Sequence, residues 1–414
     1  MSDVISPTMP KFDLAPRPDH VPEDRVIDFD YMNPELAGDD VYTALKRLHA
    51  GKDILWSPRN GGHWIAGRAD DVRWIQENFD IFSHEETFVP RGTMRVVMPP
   101  LTVDPPLHAR YRAVYNPFFT ASRVQQMAIR ARALTIELIE RIKPRGECDF
   151  VHDFAHIMPV VMFFGIVDLP LDKREEFVEH AVGFVCASDQ AGRDRNLAPM
   201  LAYLREVIDE RYAHPGDDLF SKIAAWRDNP RFNGEDEIIG MALLIFLGGI
   251  DTVASLMSFV VWHLAEHPEH RRRLREEPEI IPRAAEEYIR RFGLSNTARL
   301  IKRDVERKGV TMKKDEMVMV FLGASAVDER AYPDPFNVDF DRVVAPYHNE
   351  PGHNTFGHGP HKCVGRPLAR VELKIFLEEW LRLIPEFRLD PDHPPVSRMS
   401  NVNGVETLRL KWDV

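Results

Sequence analysis

Cys363 closes the loop Phe356-Gly357-His358-Gly359-Pro360-His361-Lys362-Cys363-Val364-Gly365, in which two glycines precede the sulfur and one follows it. Glycine permits a tight turn and a close approach of backbone that larger residues would block. Directly downstream, Val364, Leu368, Val371, Ile375, Phe376, Trp380 and Leu383 recur at three- to four-residue spacing, which predicts a helix from about Val364 to about Leu383. The amides from Val364 onward would then point at the sulfur, backed by the positive end of the helix dipole. With Lys362 and His361 beside it, the thiol is expected to have a lowered pKa and to suit a metal as thiolate. The plainer alternatives are a small buried hydrophobe or a nucleophile.

A second unusual turn lies in the run Glu235 to Glu266, whose centre Leu243-Leu244-Ile245-Phe246-Leu247 marks a buried helix. Gly248-Gly249-Ile250-Asp251-Thr252 follows. Two glycines cost a helix interior about 1 kcal/mol each relative to alanine, and an aspartate beside a threonine adds polarity that a core does not need. Consecutive departures from local rules in one turn point to function. The alternative is structural: the threonine bonds back to a carbonyl one turn earlier and the aspartate meets a surface lysine. Glu287 and Arg290 sit three apart on the helical run from Pro282 to Phe292, where they can pair, although most such pairs are solvated bridges. His108 and Arg112 share a helix face four apart. Arg271-Arg272-Arg273-Leu274-Arg275 reads as a solvated face.

The elements that must carry these residues are mostly helical. Helical periodicity is strongest at Arg123 to Lys143, Asn196 to Ala213, Glu235 to Glu266, Pro268 to Glu276, Pro282 to Phe292 and Val364 to Leu383. Strand-like runs are brief: Ile54 to Trp56 with His63 to Ala66, Ala298 to Asp304, Met317 to Phe321, and Glu406 to Trp412. They lie towards the ends and do not alternate with helices, so a doubly wound parallel sheet fits poorly. The expected fold class is mainly α with a small peripheral β region. No repeat or long linker divides residues 1–414, which read as one domain with an extended segment at 1–26.

The 414 residues are 44% hydrophobic and 29% charged, enough for a substantial core. A net charge of −12 argues against nucleic acid as partner. The segment 1–26 is rich in proline and charge without an apolar run, so no membrane anchor and a cytoplasmic location are expected. The three cysteines, Cys148, Cys186 and Cys363, lack the close spacings of a zinc or iron–sulfur site. No Gly-x-Gly-x-x-Gly or Walker sequence occurs, so electrons, where needed, would come from another protein.

In a chain of this length the pattern Phe-x-x-Gly-x-His-x-Cys-x-Gly arises by chance with a probability on the order of 10⁻⁴ or below. It matches at every fixed position the haem-ligand signature of the cytochrome P-450 monooxygenases, and the chain resembles that family over essentially its whole length. The resemblance implies a triangular helical prism enclosing haem b, with Cys363 as iron ligand and Phe356 against the cofactor. It places Gly249, Asp251 and Thr252 on the oxygen-binding side, where Gly248 or Gly249 admits dioxygen, Thr252 hydrogen-bonds it and holds a water, and Asp251 relays protons. Glu287 and Arg290 become a buried structural pair, with Arg342 as the candidate third member. His108, Arg112, Arg299 and His361 become candidates for the haem carboxylates. A basic surface of Arg112, Lys362, Arg366 and Arg370 would receive a 2Fe–2S ferredoxin, itself fed by an NADH-dependent reductase.

Spacing from Asp104-Pro105-Pro106 through Asp251 to Arg290 is similar to the bacterial camphor hydroxylases, with two departures. Those enzymes have Asp-x-Arg where this chain has Thr297-Ala298-Arg299. They also hold the camphor ketone with a tyrosine in the stretch before Asp-Pro-Pro, and between Phe88 and Asp104 there is none here; Met94, Val96, Val97, Met98 and Leu101 are among the larger apolar residues of that stretch. Losing that hydrogen bond costs about 1 kcal/mol and the orientation it gives. Phe88, Val97, Met98, Leu244, Leu247, Gly248, Ser295, Asn401 and Val402 are the pocket candidates, each also compatible with ordinary core. They imply a small apolar alicyclic substrate, a terpenoid or ionone-like ketone, hydroxylated at a C–H bond with dioxygen. A peroxygenase of the same fold and a non-enzymatic haem sensor are the competing readings.

Overall fold

The computed structural model describes residues 14–32, 40–92, 96–167, 179–180, 190–344, 346–347 and 350–414. Residues 1–13 of the extended segment, Met94 and Cys186 lie outside them. The long helix Glu235–Glu266 organises the helical body, packing against Ile157–Ile166, Gln190–Ala213, Leu219–Ala224 and Arg366–Leu383, while Ala121–Ile142 packs along Arg366–Leu383. By length and composition Glu235–Glu266 could cross a bilayer, yet it is the central helix against which the others bury their apolar faces. Glu235, Asp236 and Glu237 open it, which suits the positive end of its dipole. Glu237 also receives the Tyr111 hydroxyl and, at 3.1 Å, Trp226 Nε1, tying the helix start to its neighbours.

The β region forms a second, smaller cluster of apolar residues around Trp56, Trp64, Phe82 and Val318. Ile54–Ser57 pairs antiparallel with His63–Ala66, which runs parallel to Met317–Phe321; Asn296–Ile301 joins antiparallel, and Phe82–Ser83 closes the sheet. The extended segment adds Val26 to Trp56 as an isolated parallel bridge. The mainly helical fold with a peripheral sheet is therefore present. Glu235–Glu266 and Pro268–Glu276 have the expected bounds, because periodicity is strong and Pro268 forces the break. The run expected at Glu406 to Trp412 divides into Gly404–Thr407 and Arg409–Lys411, which pair with different strands. The helices Val41–Lys46 and Ile157–Ile166 carry too few turns, or too uniform an apolar content, to give a periodic signal, and Ala69–Glu77 was not anticipated either.

Candidate active site

The Cys363 loop is built by its glycines and one backbone bond. Gly357 and Gly359 have φ of 72° and 68°, and a Cβ on Gly359 would stand 2.6 Å from the Gln76 carbonyl oxygen, so only glycine fits there. The Cys363 amide donates to the Phe356 carbonyl at 2.8 Å and closes the turn, with Phe356 half-buried beneath Arg370. The helix starts at Arg366, later than expected, and the amides of Gly365 and Arg366, not Val364, donate to the sulfur. The expected lowering of the thiol pKa is not found: burial pushes Cys363 up, and the two amides with Arg112 and Arg366 only partly offset it. His361 contributes no charge, since burial and the neighbouring His108, Arg299 and Arg112 hold its own pKa down to about 2. Cys363 is nevertheless exposed although protein surrounds it deeply, the condition of a residue on the wall of an interior space.

The middle turn of Glu235–Glu266 borders open space as well. A Cβ on Gly248 or Gly249 meets nothing within 4 Å, and Leu244, Leu247, Gly248, Gly249, Asp251 and Thr252 are half-buried or exposed in a helix buried on either side. Thr252 Oγ1 donates to the Gly248 carbonyl at 2.9 Å, the back-bond anticipated as the structural alternative. That bond does not consume the hydroxyl, whose oxygen can still accept. Among the described residues Asp251 meets no lysine. It receives Arg398 Nη2 at 2.8 Å and Ser255 Oγ at 3.5 Å. Arg398 carried no sequence signal, standing 147 residues away on the strand Val396–Arg398.

A third group gathers beside the Cys363 loop. His361 stacks on His84 with ring centroids 3.4 Å apart and 6° between planes, and the His108 ring lies 4.1 Å from that of His361, tilted by 48°. Arg112 Nη1 donates to the Lys362 carbonyl at 3.0 Å. Arg299 is buried and donates to Thr297 Oγ1 (2.9 Å) and the Ala298 carbonyl (2.7 Å), with no carboxylate in ion-pair range among the described residues. Burial drives its pKa down to about 9, only partly opposed by Asp104. Thr297 therefore gives Arg299 a neutral acceptor where the camphor-type pattern has an acid. Arg299 Nε, His84 Nδ1, His108 Nε2 and His361 Nε2 are buried without hydrogen-bond partners among the described residues. Buried orphan donors around one cation call for an anionic ligand, and the two carboxylates of a haem meet that need. His84 was missed because nothing in Ser83-His84-Glu85 marks it.

Glu287 and Arg290 form the expected buried pair, with Arg290 Nε donating to Oε2 at 2.7 Å and Nη2 to Oε1 at 2.9 Å. Arg342 Nε completes the trio at 3.0 Å and also holds the Asp334 and Asn337 carbonyls. Two expectations about basic residues need correction. Arg370 spends its charge on Glu286, at 2.7 and 2.8 Å, and not on a free basic surface. Arg271 is buried and donates to the Leu264 carbonyl at 2.6 Å, so the Arg271 to Arg275 run is not wholly solvated.

A cysteine loop, a helix turn opened by two glycines and a group of unpartnered buried nitrogens around Arg299 are features that a cofactor site needs, and the comparisons identify the family. The sequence profile described as Cytochrome P450 matches residues 217–407. A probable cytochrome P450 127A1 of Sinorhizobium fredii is 30% identical over 96% of this chain and 97% of its own. The chain belongs to the cytochrome P450 family. The crystal structure of cytochrome P450 CYP101C1 superposes with a TM-score of 0.89 at 37% identity, over 96% of this chain and 100% of that one. That of CYP101J2 superposes with a TM-score of 0.86 at 33% identity, over 97% and 100%. The camphor-hydroxylase neighbourhood indicated by the sequence is thus supported. As a cytochrome P450 the chain is a monooxygenase that uses haem b, dioxygen and a redox partner.

Of the pocket candidates, Ser295 and Val402 form a bridge, and Asn401 exchanges hydrogen bonds with Asn296, so these three come together. Leu244, Leu247 and Gly248 share a face of the central helix. Met98 is buried, Phe88 half-buried and Val97 61% exposed; the Val97 carbonyl lies where a Cβ on Gly240 would be only 2.0 Å away, so this segment rides on the central helix.

Proposed function

We propose that this cytochrome P450 hydroxylates a C–H bond of a small apolar alicyclic ketone of the terpenoid or ionone type, with electrons from a 2Fe–2S ferredoxin and its NADH-dependent reductase, in the cytoplasm. Bound haem supplies the redox centre at which dioxygen is cleaved and one oxygen atom is transferred. Cys363 is the proposed iron ligand, its sulfur held by the Gly365 and Arg366 amides, with Phe356 fixing the loop. Arg299, His108, His361 and Arg112 are the proposed donors to the haem carboxylates, joined by His84. Thr252 presents its hydroxyl beside the opened turn at Gly248 and Gly249, and Asp251 holds the proton-donating position behind it.

What supports the substrate class is the apolar character of the proposed lining residues Phe88, Met98, Leu244, Leu247 and Val402, with Ser295 and Asn401 as the few polar members and no tyrosine in the 88–104 stretch. A pocket of this kind favours a compact hydrocarbon frame with one weakly held polar group. Titrating the ferric enzyme with ionones, other terpenoid ketones and camphor tests the reading by spin-state change. An ionone-type ketone is expected to give the larger high-spin conversion and tighter binding. Full conversion by camphor with efficient oxidation would overturn the inference from the missing tyrosine.

A further inference from the structure

We propose that His263, His267 and His270 form a binding site for a divalent transition-metal ion of the zinc type, separate from the haem site. The three residues span the joint between Glu235–Glu266 and Pro268–Glu276. Spacings of four and three would place them along one face of a continuous helix, and the break at His267 and Pro268 folds that face inward on itself. One nitrogen from each ring lies within 4.8 Å of the others, and His263 Nε2 is 2.8 Å from His270 Nδ1. A tetrahedral ion with Zn–N bonds of about 2.0–2.1 Å needs nitrogens about 3.3 Å apart, so small ring rotations would bring the set to ligating geometry.

Their surroundings favour ligation. His267 Nδ1 contacts Glu269 Oε1 at 2.9 Å, which leaves Nε2 for an ion and sets the carboxylate–imidazole–metal order that orients such ligands. Tyr288 stands edge-on to His263, and Phe340 covers His270, so the rings are held on their outer sides. The Tyr288 hydroxyl, fully buried, has no hydrogen-bond partner among the described residues. Of the charged neighbours, Glu269 and Asp339 favour a cation, while Arg273 and Arg291 oppose it. His263 lies twelve residues beyond Asp251, roughly 18 Å along the helix axis, so the ion would clamp the joint without entering the oxygen chemistry.

Titrating the chelator-treated holoenzyme with Zn²⁺ by calorimetry tests the site. One saturable equivalent is expected, with a higher melting temperature. His267→Gln, a change on a half-exposed side chain, and His270→Ala should each weaken that equivalent at least about tenfold, the typical effect of losing one ligand or its support. His214→Ala, at an exposed and distant histidine, should leave it intact. Haem absorption unchanged in every variant would show that the fold is kept. Absence of a saturable equivalent, or equal affinity in both His267→Gln and His270→Ala, would overturn the proposal.

Discussion

Arg398 and Asp251 join the C-terminal strand region to the oxygen-side helix through one ion pair, Nη2 to Oδ1 at 2.8 Å, with 21% and 15% of the two side chains exposed. The same guanidinium donates to Ser400 Oγ at 3.0 Å and to the Val402 carbonyl at 3.3 Å, so the residue that holds Asp251 also braces a proposed wall of the substrate pocket. A Cβ on Gly404 would stand 2.9 Å from Ser255 Oγ and 3.0 Å from Arg398 Nη2, so this pair needs the glycine beside it.

From this arrangement Asp251→Asn is expected to lower product turnover about 100-fold, in the range that a positioned proton donor contributes, with haem content unchanged. Arg398→Gln should lower it less, roughly threefold to tenfold, because the carboxylate stays but loses its orientation. Steady-state product formation checks both. Turnover of Asp251→Asn within twofold of the parent enzyme would remove Asp251 from the relay.

Thr252→Ala is expected to keep reductant consumption and divert it to hydrogen peroxide, since the hydroxyl beside Gly248 would no longer hold a water at the oxygen site. Measuring NADH consumed, peroxide released and product formed in one reaction gives the ratio directly. An unchanged product yield per NADH would contradict the role.

Glu287→Ala should destabilise the protein by roughly 3–5 kcal/mol, because it removes the carboxylate that pairs with buried Arg290 and with Arg342. Chemical denaturation of the haem-loaded protein, or failure to accumulate folded protein, reads this out. A loss under about 1 kcal/mol would show that the carbonyls of Ala326 and Pro335 suffice for Arg290.

His63 gives a pH dependence remote from the haem. Burial lowers its pKa from 6.5 to about 4, while Nδ1 stays 3.1 Å from the Arg59 carbonyl oxygen. Between those two values the unfolded chain takes up a proton that the folded chain refuses, so the stability present above pH 6.5 is lost as pH falls towards 4, at up to about 1.4 kcal/mol per pH unit. Melting temperatures across that window should fall less steeply in His63→Gln than in the parent, and equal slopes would contradict the assignment.

How much of this was legible in the sequence depended on where the information sat. Gly357, Gly359 and Cys363 lie within seven residues, and Gly248 to Thr252 within one helical turn, so local rules exposed both. Glu287, Arg290 and even the distant Arg342 were reached through the family pattern and met as expected. Arg398 and His84 were not reachable, because each acts across the fold on a residue far away in sequence. The Cys363 pKa went the wrong way for the same reason: amides and basic neighbours can be read locally, whereas desolvation depends on the whole surrounding fold. The sheet strands were found where apolar runs were isolated, as at Met317–Phe321, and blurred at 404–411, where one run serves two sheets.

The identity of the iron ligand is the claim on which the site assignment rests, and the absorption spectrum of the reduced, carbon monoxide-bound protein tests it most directly. The parent protein should give the red-shifted Soret band of thiolate ligation, and Cys363→His, if it retains haem, should move that band to the histidine-ligated position. A red-shifted band that persists in Cys363→His, or one absent from the parent protein, would contradict the account.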